Sequence, residues 1–168
     1  MLAEMPVDTR LTVLPSGVRI VRLGVGDDEW VREYEKILTI AAQDFLTRAQ
    51  QAGTPEGVIE ELRDALAQAH RAVWFVLQAD YRFLGFALAE IVWEFGAPPR
   101  VFVQAAYLYP RRTPRSVLAH LAQAIRAWGA TLGAVSLDFQ TRRPSAGAWR
   151  RVGALPVATL YRVPIGDD

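Results

Sequence analysis

The sequence predicts one mixed α/β domain with a six- to seven-stranded, largely antiparallel sheet flanked by about four helices, and three observations carry that reading. Short runs rich in β-branched and aromatic residues alternate with longer segments whose apolar residues recur every three or four positions. Two of the longest apolar runs, Phe83 to Phe95 and Val101 to Tyr109, flank the turn Gly96-Ala97-Pro98-Pro99, which is too short for a crossover and so implies a hairpin. At 168 residues, with 51% apolar and 22% charged side chains and no cysteine, the chain is long enough to bury a core without disulfides.

The elements follow in order. Arg10 to Leu14 and Val18 to Leu23 are β-prone runs separated by Pro15-Ser16-Gly17, with residues 1–16 forming an N-terminal arm or extra strand. Asp27 and Asp28 offer N-caps to a helix ending near Gly53, whose apolar face holds Trp30, Tyr34, Ile37, Leu38, Ala41 and Phe45. Thr54-Pro55 starts a second helix with the stripe Val58, Leu62 and Leu66, because threonine caps well and proline suits the first helical position.

Ala72 to Gln78 is too short and too β-branched for a helix and reads as a central strand, turning at Asp80-Tyr81 into the hairpin. A helix from about Arg115 to Leu132 comes next, with Val117, Leu121, Ala124, Ile125 and Trp128 on one face and Gly133 as its stop. Val135 to Phe139, Pro144 to Val152 and Ala158 to Val163 read as strand, short helix and last strand. No repeat or linker divides the chain.

Composition bounds the function. Without cysteine, thiolate catalysis and cysteine-ligated metal are excluded, and His70 and His120 lack ligand-spaced partners, so no metal site is expected. His70, at the end of the second helix, reads as a partner for its C-terminal dipole. A formal net charge of +1 argues against a nucleic-acid partner, and no apolar window approaches the length of a membrane span. A cytoplasmic location fits. Lys36 is the one lysine and asparagine is absent, a thermophile-like bias that fits GC-rich coding equally well.

The most informative stretch joins the strand VFVQAAYLYP to the helix through the basic turn RRTPRS. Arginines delivered to a helix start make an anion site, because guanidinium groups and helix-terminal N–H groups converge there. Tyr107, Leu108, Tyr109, Arg111, Arg112, Thr113, Arg115, Ser116 and Val117 are the residues expected at such a site. The turn contains no glycine, and Pro114 removes one N–H donor.

The element order and this strand–turn–helix unit resemble the GNAT superfamily of N-acyltransferases over roughly residues 18 to 164. Leu108, Tyr109 and Pro110 stand where the family's strand ends. Thr113, Ser116 and Leu118 stand where its loop carries Gln or Arg and two small residues, and Trp128 and Gly133 fit the next helix. In RRPSAGAWRRVGA the match departs again: Trp149 replaces the tyrosine that serves as general acid, Arg142 or Arg143 replaces an asparagine, and Gly153 is retained. An indole N–H has negligible acidity, so Trp149 cannot take the acid's role.

The resemblance implies acetyl-CoA as the acyl donor, an amine acceptor held between the first two helices and the central strands, and strand amides polarising the thioester carbonyl. Glu90, a carboxylate among Ala87, Leu88, Ala89, Ile91 and Val92, is the expected base acting through a water, and Gln104 and Asp138 are the expected substrate-binding residues. Two functions fit these residues: an acetyl-CoA-dependent N-acetyltransferase, or a catalytically degenerate GNAT-like module that binds protein partners in a larger assembly. Homo-oligomerisation is compatible with either.

Overall fold

A computed structural model describes residues 10–140, 150–151 and 153–155 of the protein. Among these lie six strands and four helices. They are β1 (Leu11–Val13), β2 (Arg19–Leu23), α1 (Asp28–Glu33), α2 (Glu35–Ala49), α3 (Pro55–Leu66), β3 (Arg71–Leu77), β4 (Phe83–Val92), β5 (Arg100–Leu108), α4 (Ser116–Thr131) and β6 (Leu137–Phe139). The strands form one sheet in sequence order, β1 to β6. Every neighbouring pair is antiparallel except β5 and β6, which run parallel because α4 carries the chain back across the sheet between them.

Each face of the sheet is covered. On one face α4 buries Val117, Leu121, Ile125 and Trp128 against Trp74, Ala87 and Val103, with the two indoles edge to face at 5.4 Å. On the other face α1, α2 and α3 bury Val31, Leu38 and Leu62 against Phe75, Phe86 and Leu88. Coverage on both faces explains why β3 and β4 read as continuous apolar runs while β5 alternates. Gly129 lets α4 approach the sheet, since a Cβ there would lie 2.1 Å from the Val101 side chain.

Several expectations are corrected. The first helix breaks at Tyr34, which leaves helical geometry where its hydroxyl reaches the Tyr81 carbonyl at 2.7 Å and its ring packs on Phe75 and Phe83. Asp27 caps no helix with its side chain, because the carboxylate accepts from the Gly24 amide at 2.8 Å. Strand β4 ends at Val92, leaving Trp93 and Phe95 exposed. His70 lies beyond the end of α3, against Trp93 with ring centres 6.1 Å apart, so it does not serve the helix dipole. Thr54 does cap α3, with its Oγ1 accepting from Gly57 at 3.1 Å and Pro55 coming next. The expected last strand Ala158–Val163 lies outside the described residues, as do Trp149, Arg142 and Arg143.

Candidate active site

The site is built along β5. Its parallel partner β6 pairs with three of its residues, Val101, Phe102 and Val103, and the pairing stops there. One position further, Gln104 lies opposite no residue of β4, because the register jumps from Ala89–Val103 to Leu88–Ala105. This is a β-bulge, which bends a strand and re-aims the residues beyond it. Past the bulge the Tyr109 amide donates to Leu84 on the β4 side, so strand alternation turns the amides of Ala106 and Leu108 toward the side where no described strand pairs with them. Among the described residues, these edge amides past Val103 have no strand partner and lead to the basic turn.

The turn ends at the N-terminus of α4. That 16-residue helix has no acidic residue in its first turn and no side-chain cap. Its N–H groups are thus available to an anion, apart from that of Val117, which donates to the Pro114 carbonyl at 3.1 Å. Arg111 takes the left-handed step of the turn at φ 63°, a conformation that glycine would adopt without strain. Among the described residues, Arg111, Arg112 and Arg115 have no carboxylate partner, and Arg112 lies over the Tyr109 ring at 5.5 Å. Elsewhere Arg10, Arg32, Arg48, Arg63, Arg71, Arg82 and Arg100 each pair with an acid and Arg19 donates to the Tyr81 hydroxyl, while the scattered Arg126, Arg150 and Arg151 also have no carboxylate partner among the described residues.

The remaining residues singled out from the sequence separate into groups. Ser116 is exposed and Leu118 half-buried, while the Val117 side chain is fully buried, leaving only its backbone to face the turn. Thr113 folds back, its amide and hydroxyl both donating to the Tyr109 carbonyl. Tyr107 points away from the turn, into the α2 layer, where its hydroxyl donates to Asp44 at 2.8 Å. Burial first, and then the Asp44 carboxylate, push the Tyr107 phenol well above its ordinary range. The same hydrogen bond, with help from Arg48, holds Asp44 below the usual carboxylate range.

Glu90, Gln104 and Asp138 share the sheet face covered by α1–α3. Glu90 is half-buried, lies directly between Arg71 on β3 and Phe102 on β5, and makes no hydrogen bond or ion pair among the described residues. Gln104 accepts from Arg71 at 2.9 Å. Asp138 is bound by Arg100, whose guanidinium also holds Glu94. The sequence reading missed Arg71, Arg100 and Asp44, each of which acts through a partner 33, 38 or 63 positions away. No local pattern announces such pairs.

Two adjoining cavities of about 340 and 440 Å³ lie on another side of the turn, sharing Gln78, Leu84 and Arg112, and neither reaches β6. Among the described residues no cluster of histidine and acidic side chains could hold a metal ion, and no helix is long and apolar enough to cross a membrane.

No protein-family description matches the sequence, and no curated protein matches it either. Solved structures do. A probable acetyltransferase superposes with a TM-score of 0.69 at 16% identity, covering 89% of this chain and 99% of its own. The aminoglycoside 6'-N-acetyltransferase of Acinetobacter baumannii gives 0.67 at 14% identity, covering 89% of this chain and all of its own. A GNAT family acetyltransferase of Staphylococcus aureus gives 0.62 at 7% identity over 87% and 98%. An aminoglycoside N-acetyltransferase in complex with CoA gives 0.60 at 21% identity over 92% and 98%. Near-complete coverage of each neighbour, with the bulged β5, the short parallel β5–β6 pair and the turn into α4, establishes that this chain has the GNAT fold.

Proposed function

We propose that the protein is an acetyl-CoA-dependent N-acetyltransferase acting on a small-molecule or protein amine. One observation carries this reading: among the described residues, the edge of β5 beyond Val103 has no strand partner and runs into three arginines without carboxylate partners at an uncapped helix N-terminus. Such an edge suits an extended amide-bearing chain, and the turn suits a pyrophosphate. The residues present fit acetyl-CoA, which supplies the activated acyl group. Arg111, Arg112, Arg115 and the α4 amides would hold its phosphates, and the backbone around Leu108 and Tyr109 its pantetheine arm.

The chain's own residues then account for the chemistry. Amides of the β5 edge would donate to the acyl carbonyl oxygen and stabilise the charge that develops there. Glu90, on the sheet face opposite α4 and without a partner among the described residues, would take a proton from the acceptor's ammonium through a water, so that the neutral amine attacks as the C–S bond breaks; the proton then lost from nitrogen would pass through solvent to the departing thiolate. Asp138 and Gln104 are engaged by arginines, so their proposed contact with substrate is through carboxylate and amide edges those arginines leave open. The acceptor would enter from the α1–α3 side, where Glu61, Glu90, Glu94 and Asp138 outnumber Arg71 and Arg100 and favour a cation.

Calorimetry with acetyl-CoA tests the cofactor site. The wild-type protein should bind, and Arg112→Glu with Arg115→Glu should abolish binding; unchanged affinity in the double variant removes the assignment. Transfer to an amine probe, such as spermidine or an aminoglycoside, tests the activity. Binding without any turnover would favour the catalytically degenerate interaction module instead.

A further inference from the structure

Arg71 is the most buried charged side chain in any described ion pair, at 9% exposure, and it lies on β3 facing the helices. One of its terminal nitrogens donates to Glu61 on α3 at 2.7 Å and to the Gln104 side-chain carbonyl at 2.9 Å. Its Nε is buried without any partner. Burying a guanidinium with one donor unsatisfied costs stability, and an apolar residue at this position would pack without that penalty. The arrangement therefore has some purpose other than holding the core together.

That purpose can be read from what Arg71 grips. Gln104 is the extra residue of the β5 bulge, so the β4 ladder does not fix it, and pairing with β6 has ended one residue before. The orientation of this residue sets where the next edge amides point, yet neither neighbouring strand restrains it. Arg71 supplies the missing restraint by tying the bulge across β3 to α3.

We infer that Arg71 is a positioning residue, a strut from α3 that sets the geometry of the β5 bulge and hence the aim of the amides that polarise the acyl carbonyl. This rests on the acetyl-transfer reading above for its catalytic consequence, but not for its structural one. The strut touches no phosphate-binding group. It should govern the rate of transfer and leave cofactor affinity alone.

Two measurements on the full chain separate these levels. Arg71→Met should lower kcat for transfer from acetyl-CoA by about 100-fold, the scale of one lost carbonyl-polarising donor, with cofactor affinity by calorimetry unchanged within about twofold. Hydrogen exchange of the Val103 and Ala105 amides, the paired residues on either side of the bulge, should accelerate about tenfold in the same variant, reading the loosened bulge without reference to activity. Arg71→Lys, which keeps a cationic donor, should recover part of both effects. If Arg71→Met fails to fold, Gln104→Met removes the same contact from a half-buried site, and adding Arg71→Lys to it should cost little more.

Unchanged exchange in Arg71→Met overturns the strut whatever the turnover. Unchanged kcat alongside accelerated exchange overturns its catalytic role. Absence of turnover by the wild-type protein defeats the acetyl-transfer reading and the catalytic role with it, while the exchange result still decides the strut.

Discussion

The two ends of β5 use arginine in opposite ways. At the start of the strand Arg100 is locked between Glu94 and Asp138, and across the sheet Arg71 is locked between Glu61 and Gln104. At its far end Arg111, Arg112 and Arg115 have no carboxylate partner among the described residues. The arginines proposed to bind the cofactor are unmatched and clustered within five positions of one turn, whereas the unmatched Arg126 stands alone on α4. Matched ones build shape, because an internal carboxylate already satisfies a guanidinium that a ligand would have to win.

This contrast can be broken by substitution. The largest effect should come from reversing charge at the open end. Arg112→Glu with Arg115→Glu should weaken acetyl-CoA binding at least about 100-fold through loss of charge-assisted contacts, with little change in thermal stability. Added salt should weaken wild-type binding in the same direction, since these charges are exposed.

At the closed end the effect should fall on stability instead. Arg100→Met leaves Glu94 and Asp138 facing each other without their cation, and should cost about 1–3 kcal/mol in denaturant unfolding, with cofactor affinity unmoved. A loss of binding equal to that of the turn variants would erase the distinction between the two ends.

Tyr107→Phe sharpens it further, removing the hydrogen bond to Asp44 at an expected cost of about 1–2 kcal/mol. The sign with pH is fixed by Asp44. Its carboxyl is held below the usual range in the folded state, so the contribution is present above the ordinary carboxylate value and is lost as pH falls through the lowered one. The acid limb of stability should therefore be shallower in Tyr107→Phe than in the wild type, and identical limbs would show that the pair is not linked to folding.

The smallest effect is expected from an exposed helical pair. Arg32→Ala removes a contact to Asp28 in which the arginine is 70% exposed, and should change stability by less than about 0.5 kcal/mol. A larger loss would mean that exposure is a poor guide to which arginines matter.

Much of the fold was legible because local signals agreed. Thr54-Pro55 announced α3, the stripe Val117, Leu121, Ile125 and Trp128 announced the buried face of α4, and Gly96 to Pro99 announced the hairpin. The break at Tyr34 was not legible. An unbroken three- and four-residue spacing runs through it, and only the distant Tyr81 carbonyl and the Phe75 and Phe83 rings pull it out of the helix. The early end of β4 was hidden for a similar reason, since Trp93 and Phe95 look like strand residues and nothing local says that no partner covers them.

The basic turn, its lack of glycine, its place before a helix and its likeness to the GNAT loop were all present in the order of residues from Arg100 to Gly133. Which charges remain available was decided only by the tertiary structure. Pairing depends on distances between residues far apart in sequence: Arg71 meets Gln104, Tyr107 meets Asp44 and Arg100 meets Asp138 because the sheet brings them together. The bulge at Gln104 is likewise a property of two strands compared, not of one strand read alone. Sequence set the kinds of group this protein carries to the end of β5, and packing chose which of them were already spoken for.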